Sequence, residues 1–358
     1  MLVTDAHSGA GGIAQYNRDV LAALASFDEI QEIVVVARNV SETVFAVPAK
    51  VRYDLQSIGS QAAFVRRSAA QAFGGGPFDL IYCAHINLMP VASVIAKARR
   101  IPLVLAIYGI DAWTPPTRRL AIRCAGACDL VVSISDITLD RFQAWAGVGR
   151  STTAVLPNAI RAEEYGPGEK SPDLMDGLGI RNRKVIMTLG RMAPDERYKG
   201  FDEVIELLPR LRVIEPDILY LAAGDGADRP RLEAKARDLG VTDLVVFPGR
   251  IPEGRKADYY RLADAYVMPS YGEGFGFVVL EALSCGIPVI ASTSDGTREA
   301  VKDGELGLVV DPKDSAALER AIVASLMRPK VVPLGLDYFS FVNFEKRLYS
   351  ALSPFIAV

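Results

Sequence analysis

Three short segments of the chain carry side chains whose types and spacing suit chemistry on a phosphorylated sugar. The most specific is Tyr271-Gly272-Glu273-Gly274-Phe275-Gly276-Phe277-Val278-Val279-Leu280-Glu281-Ala282, which follows the apolar run Ala265–Met268. Gly274 and Gly276 let a ligand come close to the backbone, so the first amides of a following helix, around Phe275 to Phe277, can face an anion. Glu281 stands inside that helix, where it can accept hydrogen bonds from a vicinal diol such as a ribose. Glu273 can do the same for sugar hydroxyls. The two carboxylates could instead form a hydrolase acid–base pair. The helical position of Glu281 and the phosphate-binding features around both argue against that.

The second segment, Gly190-Arg191-Met192-Ala193-Pro194-Asp195-Glu196-Arg197-Tyr198-Lys199-Gly200, follows the apolar run Val185–Leu189. In an open α/β sheet, ligands bind beyond the carboxyl ends of the strands. Arg191 and Lys199 there suit a diphosphate, the guanidinium as a bidentate clamp and the ammonium as a point charge. A solvated loop with surface cations is the alternative. The third segment, Gly9-Ala10-Gly11-Gly12-Ile13-Ala14, formally fits G-x-G-x-x-A. Four residues separate its strand from the first glycine, and the second apolar run ends in Arg38-Asn39 rather than an acidic residue. A nicotinamide enzyme is therefore disfavoured, while Gly11 and Gly12 can still present amides to an anion at a helix N-terminus. A purely structural turn is the other reading.

The elements that must position these residues show in the hydropathy pattern. Apolar runs at Met1–Thr4, Ile33–Ala37, Leu80–Cys83, Leu103–Ile107, Leu130–Ser133 and Ala154–Leu156 form one series of strands. Val185–Leu189, Leu219–Ala223, Leu244–Phe247, Ala265–Met268, Val289–Ala291 and Gly307–Val310 form a second. Helical periodicity lies between many of them, as in Ile13–Ala25, Phe201–Arg212, Arg229–Leu239 and Ser315–Met327. Continuous Val/Ile/Leu runs alternating with helices indicate parallel sheets covered on both faces. The expected fold class is thus α/β, with two doubly wound, Rossmann-like parallel-sheet domains. The stretch 162–182, rich in Gly, Pro and charge, reads as the connection between them. That gives domains at 1–165 and 175–335, and a tail at Phe339–Phe355 with apolar residues at helical spacing.

Composition excludes several classes. Half of the 358 residues are hydrophobic and 23% are charged, which suits a globular chain rather than a disordered one. With 40 basic against 43 acidic residues, the net charge of −3 argues against a nucleic-acid binder. Four cysteines lack any C-x-x-C pair, and His7 and His85 are the only histidines, so no zinc site is expected and the thiols read as reduced and cytosolic. No Asp-x-Asp occurs, so no carboxylate pair offers a divalent ion a bridge to a diphosphate, and no metal is expected. The chain opens Met1-Leu2-Val3-Thr4, without a basic leader, and its first strand has no lead-in, which suggests a trimmed start. The longest apolar run, Ile101 to Ile110, is too short to span a bilayer. Between residues 60 and 125, Arg66, Arg67, Lys97, Arg99, Arg100, Arg118, Arg119 and Arg123 face only Asp79 and Asp111, a local balance of +6. Such a stretch suits an anionic membrane or a lipid-diphosphate acceptor. Scattered solubilising charge is the other reading.

Taken together, Gly190-Arg191, Arg197-Tyr198-Lys199-Gly200, Gly224-Asp225-Gly226 and Glu273-x7-Glu281 resemble the retaining family 4 glycosyltransferases of the GT-B fold. So do Ser133-Ile134-Ser135, Leu156-Pro157-Asn158-Ala159, Phe247-Pro248-Gly249 and Gly286-Ile287-Pro288-Val289-Ile290-Ala291. The resemblance runs from residue 3 to about 350. It implies two domains facing across a cleft, the first binding an acceptor and the second a nucleotide-diphosphate sugar, with a final helix at about 340–358 crossing back to the first. It further implies that Arg191 and Lys199 neutralise the leaving diphosphate, that Glu273 with Gly274, Phe275, Gly276 and Phe277 holds the sugar, and that Glu281 binds the ribose. Arg250 and Ile251 would meet the base, and Gly11 and Gly12 would close over the phosphates. The family often has a His-Gly pattern where this chain has Tyr108-Gly109-Ile110-Asp111. That leaves Tyr108, Asp111 and His85 as acceptor-side candidates; Asp111 could equally cap a helix, and His85 could be a buried structural histidine.

The implied activity is metal-independent, retaining transfer of a hexose to a lipid-linked saccharide or glycan in polysaccharide or exopolysaccharide biosynthesis. Mannose from GDP-mannose is slightly favoured over a UDP-sugar donor such as UDP-glucose, and no cofactor besides the donor is needed. An epimerase or a non-catalytic sugar-nucleotide-binding protein fits less well. The expected setting is the cytoplasm, with peripheral contact at the inner face of the plasma membrane left open by the basic stretch.

Overall fold

The computed structural model describes residues 1–7, 11–39, 47–117, 119–148 and 152–356. Gly9 and Ala10 of the first glycine segment and Arg118 of the basic stretch lie outside the described residues. The chain divides into two compact units, Met1–Ala159 with Phe341–Val358, and Ile160–Ser340.

The first unit is built on seven parallel strands, β1 (Leu2–Val3), β2 (Ile33–Ala37), β3 (Val51–Asp54), β4 (Ile81–Cys83), β5 (Leu103–Ile107), β6 (Leu130–Ser133) and β7 (Thr153–Val155), in the order β3-β2-β1-β4-β5-β6-β7. The second has six, β8 (Lys184–Leu189), β9 (Ile218–Ala223), β10 (Val245–Val246), β11 (Ala265–Val267), β12 (Val289–Ser292) and β13 (Leu308–Val310), in the order β10-β9-β8-β11-β12-β13. In both sheets the order reverses beside the first strand of the unit, as in a doubly wound Rossmann-like fold. The central strands read as unbroken apolar runs because helices cover both faces; every residue of β2, β5 and β9 is buried.

Two features escape the apolar pattern. The edge strand β3, Val-Arg-Tyr-Asp, buries only its end residues and offers no apolar run. The stretch 162–182 is no bare connector: it belongs to the second unit and holds a short 3-10 turn at Ala162–Glu164 and a helix at Pro172–Leu178, capped by Ser171. Polar contacts fasten it, which is why hydropathy misses it. Lys170 pairs with Asp264 at 2.8 Å, and Arg261 donates to the Gly166 carbonyl at 3.0 Å. The tail forms helix Phe341–Ile356, which packs in the first unit against helix Gly12–Ser26. Phe344 meets Tyr16 edge-on at 5.7 Å, and Tyr349 meets Phe27 at 5.1 Å. Among the described residues, no helix is long and apolar enough to cross a membrane.

Candidate functional site

In the second unit the strand order reverses between β8 and β11, which pair directly, Ala265 opposite Ile186. The loops leaving the carboxyl ends of these two strands carry the two charged motifs, so the switch point brings together residues 190–200 and 270–276, far apart in sequence. Tyr271 N–H donates to the Tyr198 carbonyl at 3.0 Å and ties the loops. Gly224, at the end of β9, has φ 120°, and a Cβ there would lie 1.8 Å from the Gly190 carbonyl oxygen, so only glycine lets the β9 turn pass beneath Arg191. The Gly224 N–H also donates to Gly249 O at 3.0 Å, which brings the loop of Arg250 and Ile251 alongside; Ile251 is buried and Arg250 exposed.

Lys199 and Glu273 meet at this point. Lys199 Nζ donates to Glu273 Oε2 at 3.0 Å and lies 3.8 Å from Glu196 Oε2. The Lys199 side chain is 13% exposed and that of Glu273 24%. Burial pulls the Lys199 pKa down, but Glu273, Tyr198 and Glu196 together outweigh it and hold the ammonium above its ordinary value, hence charged at neutral pH. Arg191 reaches outward, 79% exposed, and its guanidinium pairs with Glu196. Glu196, only 10% exposed, thus braces both cations. The loop motif gave no hint of that role, although an acidic residue between two cations is a signal that charge complementarity could have raised.

Glu281 sits apart from this pair, on helix Phe277–Ser284, whose N-cap is Gly276. It is buried, with Oε2 accepting from the Tyr260 hydroxyl at 2.6 Å and Oε1 from Lys256 Nζ at 3.2 Å. Tyr165 is a further hydrogen-bonding neighbour of this carboxylate. Lys256 and Tyr260 were not foreseen, since both lie in an unremarkable helix, Lys256–Leu262. Gly274 is buried, Phe277 partly exposed, and the Phe275 ring is buried against Phe339 at 5.5 Å, which leaves only its backbone for a ligand.

The remaining candidates lie in the first unit. Gly11, with φ 98°, is the N-cap of helix Gly12–Ser26, and Gly12 is its first residue. His85 Nδ1 accepts the Asn87 N–H at 3.1 Å, and burial pushes its pKa down to about 4, so it is neutral at physiological pH. Tyr108 is buried and its hydroxyl donates to Asn17 Oδ1 at 2.8 Å. Asp111 stands in the short helix Ile110–Trp113, whose N-cap is Gly109, so it does not cap that helix itself. Its Oδ2 is buried without a hydrogen-bond partner among the described residues, and burial raises its pKa to about 7. The basic stretch is thinner than its sequence suggests. Arg67 pairs with Asp54 at 2.7 Å and Arg99 donates to the Gly76 carbonyl, while Arg66, Lys97, Arg100, Arg119 and Arg123 are exposed.

Comparison with known proteins places this arrangement. Residues 172–330 match the family described as glycosyl transferases group 1, and residues 10–164 match Glycosyltransferase Family 4. A GDP-mannose-dependent alpha-(1-6)-phosphatidylinositol monomannoside mannosyltransferase of Mycolicibacterium smegmatis is 34% identical over 69% of this chain and 66% of its own length. A D-inositol 3-phosphate glycosyltransferase of Geodermatophilus obscurus is 33% identical over 84% of this chain and 70% of its own. The chain therefore spans about two thirds of the length of these relatives. Among solved structures, Anabaena HepE in complex with UDP superposes with a TM-score of 0.77 at 22% identity, covering 99% of both chains. The sucrose-phosphate synthase of Thermosynechococcus elongatus gives 0.72 at 22% identity, covering 99% of this chain and 96% of its own.

Proposed function

The chain belongs to glycosyltransferase family 4, and on that premise we propose that it transfers a hexose, with retention at the anomeric carbon, from a nucleoside diphosphate sugar to a lipid-linked saccharide or glycan. The observation that carries this reading is the partly buried Lys199–Glu273 pair, with Arg191 nearby, at the switch point of the second sheet. Arg191 and Lys199 receive the diphosphate, and Glu273, released in part from Lys199, accepts hydrogen bonds from the sugar. Glu281 accepts from the ribose, and the backbone of Arg250 and Ile251 meets the base.

The bond between the anomeric carbon and the diphosphate oxygen breaks as the sugar becomes oxocarbenium-like, and negative charge builds on the leaving group. Cations fixed where that charge develops lower the barrier. The acceptor oxygen then bonds to the anomeric carbon from the same face. Its proton passes to the departing phosphate oxygen, and nucleoside diphosphate leaves. Positive charge comes from Arg191, Lys199 and the N-terminus of helix Phe277–Ser284, without a divalent ion.

A mannosyl donor is favoured by the name of the mycobacterial relative. A UDP-hexose is the second reading, favoured by the UDP held in the HepE structure. A transfer assay with both donors in EDTA, with the product anomer read by NMR, tests the proposal. An α-donor should give an α-product at undiminished rate. A β-product or loss of activity on chelation would contradict it.

A further inference from the structure

Asp295, in the turn after β12, has no cation paired with it among the described residues and is fully buried, yet its carboxylate takes four hydrogen bonds. Oδ2 accepts from Ser270 Oγ at 2.7 Å and from the Glu273 backbone N–H at 2.9 Å. Oδ1 accepts from the Thr297 N–H at 3.1 Å and the Thr297 hydroxyl at 2.7 Å. The next residue completes a clamp, for Gly296 N–H donates to the Glu273 carbonyl at 2.9 Å. A Cβ at Gly296 would lie 2.0 Å from the Gly274 carbonyl oxygen, so the two turns are in contact at that point and neither can shift alone. Both faces of the Glu273 peptide are thus held by the 295–296 turn, and the side chain between them points at Lys199.

We infer that Asp295 is a positioning residue of the donor site, whose carboxylate fixes the Glu273 peptide and with it the aim of the Glu273 side chain. The inference rests on reading Glu273 as the sugar-holding carboxylate. A buried ion costs several kcal/mol unless hydrogen bonds compensate it. Here the compensation comes entirely from the two loops that the carboxylate joins. Burial raises its pKa to about 6, above the ordinary 3.8, which leaves the group ionised at neutral pH and able to accept all four bonds. Asparagine of the same shape would offer one oxygen and turn an N–H₂ donor toward either the Glu273 or the Thr297 N–H.

Asp295→Asn and the milder Ser270→Ala, which removes a single donor, are compared with the wild type in two measurements. The first is amide hydrogen exchange at Glu273 in the free protein. Loss of a charge-assisted hydrogen bond should speed it at least about tenfold in Asp295→Asn and less in Ser270→Ala. The second separates sugar from nucleotide. Turnover of the nucleoside diphosphate sugar should fall about 30-fold in Asp295→Asn, while Kd for the bare nucleoside diphosphate stays within about threefold. If Asp295→Asn does not fold, Ser270→Ala carries the same comparison with a smaller loss. Unchanged exchange, or faster exchange with wild-type turnover, overturns the inference. Equal loss of nucleotide affinity and turnover overturns it too, since that is the pattern of general unfolding. A wild type that binds no nucleoside diphosphate contradicts the donor-site reading instead, and the exchange at Glu273 still decides whether Asp295 holds that peptide.

Discussion

Replacing Lys199 with alanine perturbs the site at its most buried cation. The ammonium lies 3.0 Å from Glu273 and 3.8 Å from Glu196, with only 13% of its side chain exposed. At such a distance and an effective dielectric constant of about 20, the raw attraction is about 5 kcal/mol, of which desolvation cancels the larger part. A net coupling of about 1–3 kcal/mol remains, so the variant should fold but melt earlier, with Glu273 and Glu196 left facing each other. The effect on transfer is larger in kind, because the charge that Lys199 stabilises grows as the diphosphate departs. Loss of one such fixed cation should lower kcat/KM about 100-fold, or about 3 kcal/mol. The assay is release of nucleoside diphosphate with saturating acceptor, and again without acceptor, on protein whose circular dichroism matches the wild type. Lys199→Ala combined with Glu273→Gln should melt later than Lys199→Ala alone, because the stranded carboxylate is gone. A folded Lys199→Ala with kcat/KM within about threefold of the wild type would refute the reasoning.

Arg191 should behave differently. Its pair with Glu196 is 79% exposed on the arginine side, so Arg191→Ala should leave the melting temperature nearly unchanged while kcat/KM falls about 100-fold. Asp111 gives a pH signature. Its folded pKa is about 7 against an ordinary 3.8, so folding disfavours the ionised form, and stability is lost as pH rises through that window and levels off above it. Asp111→Asn should remove this slope and be the more stable protein at pH 8, by on the order of 2 kcal/mol in denaturant titrations at pH 5 and pH 8. Exposed Arg66, Lys97, Arg100, Arg119 and Arg123 accompany exposed Val94, Leu120 and Phe73 on helices of the first unit. Co-sedimentation with anionic vesicles should therefore occur at low salt and vanish at about 1 M salt, where the Debye length is about 3 Å.

The parallel sheets were legible because buried strands must be apolar on both faces, and β2, β5, β8 and β9 stand out for that reason. The meeting of Lys199 and Glu273 needs the strand order as well, since each motif follows a strand and the observed order makes those strands neighbours. What stayed hidden depends on partners remote in sequence. The edge strand β3 has no apolar run, and the segment 162–182, pinned by Lys170 to Asp264, buries only Ile180. Asp295 looks like an ordinary turn residue until the fold brings Ser270 and the Glu273 peptide to it. His85 and Tyr108, acceptor-side candidates by position, make contacts to Asn87 and Asn17 that only the fold reveals.

The central claim is that the loops after β8 and β11 form a nucleoside diphosphate site. A thermal-shift titration of the wild type and Lys199→Ala with GDP, UDP and ADP tests it most directly. One diphosphate, at about 100 times its Kd, should stabilise the wild type by about 2.7 kcal/mol, and the same concentration should stabilise Lys199→Ala far less. No shift with any of the three, or an equal shift in the variant, would contradict the account.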